Sequence, residues 1–175
     1  MPSKNQRGAD NQQEKTIGWI VGFVDGEGTF AVSINRNPTT RSGWQIFPEF
    51  VITQGEKSLA ALQEIQAFFE CGKLYVNRRY DNHKENLFRY CVRSLKDLRT
   101  KIIPFFQTHA LRTAKKEDFM KFVQILALME QEAHLTRDGE EKIARTIQTM
   151  NRKQPSRYLL SSETIRQAPP VAAKI

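Results

Sequence analysis

Residues 16–28 read Thr16-Ile17-Gly18-Trp19-Ile20-Val21-Gly22-Phe23-Val24-Asp25-Gly26-Glu27-Gly28. Ile17, Ile20, Val21 and Val24 fall at helical spacing, with Trp19 and Phe23 between them. A helix so apolar all round is expected to be buried on more than one side. Gly18, Gly22 and Gly26 recur every four residues and share one face. Each glycine inside a helix costs about 1 kcal/mol relative to alanine, so three on one face predict close backbone approach by another helix. Asp25 and Glu27 stand at the C-terminal end, where carboxylates oppose the helix dipole. Gly28 permits a sharp exit. On these residues alone two readings stand side by side: a buried helix ending in a solvated acidic turn, and a helix end built for acidic chemistry.

Outward from this helix, residues 29–35 alternate Phe30, Val32 and Ile34 against Ala31 and Ser33, a strand pattern. Turn chemistry from Asn37-Pro38 to Ser42-Gly43 leads into a partner strand over 44–53, with Ile46, Phe50 and Ile52. Leu59, Leu62, Ile65, Phe68 and Phe69 predict an amphipathic helix over 57–69, ending before Gly72. The unit then recurs: strands over 73–80 and 87–92, and a helix over 95–106 broken at Pro104. A long helix is expected over 116–135, and Thr136-Arg137-Asp138 caps another that runs to about Met150. Residues 1–15 are polar with almost nothing apolar and are expected to be unstructured. Residues 16–151 form the core domain, and 152–175 a basic, proline-bearing tail with a short helical candidate over 162–167.

A length of 175 residues with 39% hydrophobic and 26% charged content describes one globular domain with a tail. The net charge of +8 points to a polyanionic partner. No apolar run approaches the ~20 residues of a membrane-spanning helix, so no membrane is expected among the partners. The N-terminus lacks the apolar core of a signal peptide, and Asp10 and Glu14 argue against a transit peptide. Cys71 and Cys91 have neither metal-ligand spacing nor a disulfide framework and read as reduced core thiols in an intracellular compartment. His83, His109 and His134 lack the spacing for a shared metal and read as non-catalytic.

Residues 20–28, Ile-Val-Gly-Phe-Val-Asp-Gly-Glu-Gly, resemble position by position the LAGLIDADG motif of homing endonucleases, and closely the single-motif, homodimeric members of group I introns. Further similarity follows in order at Val51-Ile52-Thr53-Gln54, Pro104-Phe105-Phe106, Lys115-Lys116 and residues 161–166, so that it covers about 16–167. The resemblance implies an α+β fold, the αββαββα LAGLIDADG arrangement, with an antiparallel saddle-shaped sheet on DNA and extra C-terminal helices. It implies that the motif helices of two subunits pack at a two-fold, with Gly18, Val21, Gly22 and Asp25 at the dimer interface. Two copies of Glu27 then meet under the DNA. Carboxylates so close repel unless a cation lies between them, and with the Gly26 carbonyl they offer an all-oxygen site suited to Mg²⁺ rather than zinc. Such a metal stabilises the oxygens of an in-line phosphodiester displacement. By the same resemblance the catalytic residues are Glu27, Gln54 and Lys115, with Lys116 the alternative for Lys115. The basic residue usual four positions after the glutamine is Ser58 here, with Lys57 beside it.

The resemblance assigns one sheet face to double-stranded DNA. Asn35, Arg36, Arg41 and Gln45 on the first strand pair, and Asn77, Arg78, Arg79, Arg89 and Arg93 on the second, are candidates to read bases. Residues 73–93 hold six Lys/Arg against two acids, a net of +4. Lys153 and Arg157 lie in a stretch of seven cations against one acid, suited to phosphates. The implied function is a homodimeric, Mg²⁺-dependent, site-specific double-strand endonuclease of intron homing. It hydrolyses a long pseudo-palindromic site and leaves 3′ cohesive ends, in an organelle (chloroplast or mitochondrion) or a bacterial cytoplasm. The alternative is an RNA maturase assisting the splicing of its host intron RNA. A third reading, a catalytically dead repressor, would be favoured by loss of the acid, and Glu27 is present.

Overall fold

The motif helix, α1, spans Lys4–Glu27 in the computed structural model, which describes residues 4–78, 85–150 and 158–159. Its start corrects the expectation of an unstructured 1–15 segment. Lys, Gln, Arg and Glu lose little rotamer freedom in a helix, and the buried turns beyond Ile17 already carry the cost of nucleation. Polar residues ahead of them can therefore extend the helix without packing.

Strands β1 (Gly28–Arg36) and β2 (Trp44–Gly55) follow. Their turn closes through the Asn37 N–H on the Gly43 carbonyl at 2.8 Å, and Gly43 adopts φ +76°. A 3-10 turn, Glu56–Ser58, leads into α2 (Leu59–Phe69). β3 (Lys73–Asn77) and β4 (Leu87–Val92) complete a four-stranded sheet of order β1-β2-β4-β3. β4 runs antiparallel to both neighbours, with Phe50 opposite Val92 and Tyr75 opposite Arg89. Pro104 is accommodated by three short pieces: α3 (Leu95–Asp97), a π-helical turn (Leu98–Ile102) and α4 (Ile103–Thr108). Proline donates no N–H and crowds the carbonyl four residues earlier, and the wider π turn removes that clash. α5 (Lys115–Glu130) stops short of the expected 135. Glu132 turns left-handed at φ +57°, and a 3-10 turn, Ala133–Leu135, precedes Thr136. Thr136 is extended and its Oγ1 accepts the Gly139 N–H at 3.2 Å, which starts α6 (Arg137–Gln148) as its sequence predicts.

The chain divides into two compact units. The first, Met1–Ala31 with Pro48–Met120, packs Phe30, Phe50, Phe106 and Phe119 on one another, with Phe30 ring centroids 5.0–5.5 Å from the other three. Phe50, Ile52, Tyr90 and Val92 point from the sheet into this core. Cys91 is buried and Cys71 half-buried, both free thiols as expected. The second unit, Val32–Phe47 with Lys121–Ile175, gathers Tyr158, Leu159 and Ala144 with Ile34 and Trp44. Tyr158 meets Trp44 edge-on at 5.3 Å, so two residues of the expected tail belong to a core. Arg79, Lys153, Arg157 and the 162–167 candidate lie outside the described residues.

Candidate active site

Complete burial of Ile20 and Val24 fixes the roll of α1 and leaves Gly18, Gly22 and Gly26 exposed. A Cβ on any of the three would meet nothing within 4 Å. The close helix that the glycine spacing predicts is therefore not supplied by the described residues of this chain. The face instead borders a groove of about 660 Å³, lined by Ile17, Gly18, Val21, Gly22 and Asp25 and by His109, Ala110 and Arg112. Gly28 is different. A Cβ there would lie 2.6 Å from Val24 Cγ1 and 2.9 Å from its carbonyl, so only glycine lets α1 pass directly into β1.

The two acids of the motif separate at this turn. The Asp25 carboxylate accepts the N–H of Arg112 at 2.8 Å, the N–H of Thr113 at 3.2 Å and the Thr113 hydroxyl at 2.9 Å. It ties the end of α1 to the loop before α5 from across the fold. Burial alone would raise its pKa, yet these hydrogen bonds and the Lys115 charge hold it below its ordinary 3.8. Asp25 thus serves a contact within the chain, whereas the sequence reading assigns it to a dimer interface. Glu27 stays exposed at the tip.

The hydrogen bonds from Arg112 and Thr113 to Asp25 bring the start of α5 to the motif, and with it Lys115. Its ammonium donates to the Gly28 carbonyl and, at 3.4 Å, to that of Gly26. Desolvation lowers the Lys115 pKa from its ordinary 10.5, against the opposing pull of Glu27, Asp25 and Asp118. Lys116 is exposed on the next position of the helix, so the helix start presents Lys115 to the motif. Gln54 sits at the end of β2 with the parity of Phe50 and Ile52. No hydrogen bond links it to Glu27 or Lys115 among the described residues. Lys57 is exposed in the 3-10 turn and Ser58 half-buried.

The donors at this tip are a carboxylate and main-chain carbonyls, which suits a hard divalent cation. The Lys115 ammonium shows that the Gly26 carbonyl can meet a cation. Among the described residues no group of three His, Cys, Asp or Glu is assembled for a metal.

On the strands Asn35, Arg36 and Asn77 are exposed, as are Arg41 in the turn between β1 and β2 and Arg78 and Arg93 just past β3 and β4. Arg36 stacks over Trp44 at 5.3 Å. Gln45 is partly committed, since its Oε1 accepts from Asn37 Nδ2 at 2.6 Å. Arg93 Nε donates to Glu49 Oε2 at 2.9 Å, and Arg89 Nη2 lies 3.5 Å from Glu49 Oε1. Charge counting over 73–93 misses Glu49, which lies on another strand. Strand alternation, which gives Glu49, Val51 and Thr53 one face, was the signal available for it.

A family profile described as LAGLIDADG endonuclease matches residues 20–126. "Probable intron-encoded endonuclease 2" of Neurospora crassa is 34% identical over 125 residues, which are 71% of this chain and 27% of that protein. This chain spans about a quarter of the length of that protein and of two further fungal relatives it matches. The crystal structure of the homing endonuclease I-TnaI superposes with a TM-score of 0.75 at 38% identity, covering 86% of this chain and 97% of that one. I-SmaMI bound to cleaved DNA superposes with a TM-score of 0.73 at 30% identity, covering 89% of this chain and 50% of that one.

Proposed function

The chain belongs to the LAGLIDADG endonuclease family, and on that premise we propose that it is a homodimeric, site-specific double-strand DNA endonuclease of intron homing. The observation that carries the reading is an exposed Glu27 at the tip of a helix whose glycine face nothing in the described chain covers. Two copies apposed along Gly18, Val21 and Gly22 bring two such tips together. The match to half the length of I-SmaMI supports a unit that is complete only when doubled.

In this reading Glu27 and the Gly26 carbonyl of each copy would hold Mg²⁺. The bound metal stabilises charge developing on the scissile phosphate. Lys115 places a partly desolvated ammonium beside the same carbonyls and stabilises that added negative charge. Gln54 orients the attacking water from the end of β2. Asp25 acts on Lys115 by holding the α5 start in place and through the attraction of their charges. The sheet faces bind inversion-related half-sites of a long pseudo-palindromic duplex, and cleavage leaves 3′ cohesive ends. The protein acts where its intron resides, in an organelle or a bacterial cytoplasm. Among the described residues no helix is long and apolar enough to cross a membrane.

The test is incubation of purified protein with a plasmid carrying the intronless insertion site, with Mg²⁺ or with EDTA, beside sedimentation of the protein. Linear product with Mg²⁺ alone, made by a dimer, is expected. Uncut DNA together with tight binding of the host intron RNA would replace this reading by the maturase one.

A further inference from the structure

On the sheet surface turned away from the phenylalanine core, Glu49 lies one position beyond the Phe50–Val92 pair, across from Arg93. Arg93 is held on two sides. Its Nε donates to Glu49 Oε2 at 2.9 Å, and its Cζ lies 5.3 Å from the Tyr75 ring centroid. Arg89 approaches the same carboxylate more loosely, at 3.5 Å through Nη2. The Arg93 side chain is nevertheless 53% exposed, and Glu49 25%.

Two general facts make this cluster informative. Exposed ion pairs contribute little to stability, and an acid on a surface that meets a polyanion weakens attraction to every sequence alike. What the acid can add is orientation. A carboxylate on Nε leaves the terminal Nη edge of the fork for a ligand, and guanine O6 and N7 accept such an edge bidentately. A guanidinium held before binding loses less rotamer freedom on binding. A loosely held one can shift to a neighbouring phosphate instead.

Resting on the DNA-cleaving reading above, we propose that Glu49 and Tyr75 are positioning residues for base readout. They hold the Arg93 fork in one rotamer, so that Arg93 fixes a guanine at one position of each half-site. Arg89, tethered more weakly, contributes mainly to affinity. Glu49 lowers overall affinity in exchange for discrimination.

The experiment starts from the sites that wild-type protein selects and cleaves in a random duplex pool. Wild type, Arg93→Ala, Arg89→Ala, Glu49→Gln and Tyr75→Leu are then profiled over all single-base variants of one site, and their binding to a non-target duplex is measured. Arg93→Ala should flatten one guanine preference per half-site by about tenfold or more. Glu49→Gln and Tyr75→Leu should flatten the same position by a smaller factor, with melting temperatures close to wild type. Glu49→Gln should also bind the non-target duplex more tightly. Unchanged discrimination in Glu49→Gln, or flattening at a position other than that of Arg93→Ala, overturns this proposal and leaves the endonuclease reading intact. A wild-type protein that selects and cleaves no site overturns both.

Discussion

The tip of α1 and the open face of the sheet both carry charged side chains, yet they are built in opposite ways. At the tip the cation-accepting groups are main-chain carbonyls, and Asp25 and Lys115 are held by hydrogen bonds to backbone atoms. Their geometry follows from the helix ending and the Gly28 turn. At the sheet Arg93, just past the end of β4, is held by side chains of two strands, Glu49 of β2 and Tyr75 of β3. Backbone-built geometry suits chemistry, because the scissile phosphate is the same in every sequence. Side-chain geometry suits discrimination, because it can differ between targets without disturbing the centre.

The largest effect that would break this division is expected from Glu27→Gln. It should remove metal charge and reduce cleavage by about a thousandfold or more, since a catalytic metal is worth several kcal/mol in the transition state. Binding to the target should persist, because the sheet is untouched. Single-turnover cleavage beside a gel-shift titration checks this, and near wild-type cleavage refutes the assignment.

Gly22→Leu comes next. Its Cβ would meet nothing within 4 Å among the described residues, so the lone subunit should fold normally. The apposed helices would be forced apart, and overpacking of this kind costs about 1–3 kcal/mol or more. Sedimentation should report a monomer with an unchanged circular-dichroism spectrum. An intact dimer would mean that the glycine face is not the interface.

Asp25→Ala should lower stability by about 1 kcal/mol, through loss of carboxylate hydrogen bonds to the loop before α5, and should loosen Lys115. The folded pKa of Asp25 lies below its ordinary 3.8, so the unfolded chain binds more protons in between. Its contribution is complete above 3.8 and fades as pH falls through the folded value. Denaturant titrations at neutral and acidic pH should therefore show the variant and wild type converging in acid.

Lys115→Met gives the smallest effect on stability and sharpens the comparison from the alkaline side. Lys115 has a folded pKa below 10.5, so between the two values the unfolded chain again binds more protons. Its presence makes stability rise with pH in that window. The variant should lack this rise in denaturant titrations up to pH 10.5, while its cleavage falls well below wild type. An unchanged pH slope would show that the ammonium is not desolvated at the tip.

Legibility in the sequence followed the range of each interaction. The roll of α1 was readable because Ile20 and Val24 repeat at helical spacing, and the strands because Phe30, Val32 and Ile34 alternate. Helix α6 was readable from its Thr136 cap. The start of α1 was not, since low hydrophobicity reports missing packing and not missing helix. Glu132 broke the long helix without glycine or proline to announce it.

By itself the sequence determined a glycine-faced helix ending in acids, two strand pairs alternating with helices, and a strong positive charge, because each is written in the spacing of nearby residues. Tertiary structure alone decided that Asp25 serves residues 112–113 and Glu27 stays exposed, that Lys115 and not Lys116 reaches the motif, and that Glu49 grips Arg93. Those choices depend on strand register and on how one element meets another after the core has closed. No periodicity within a single segment encodes them.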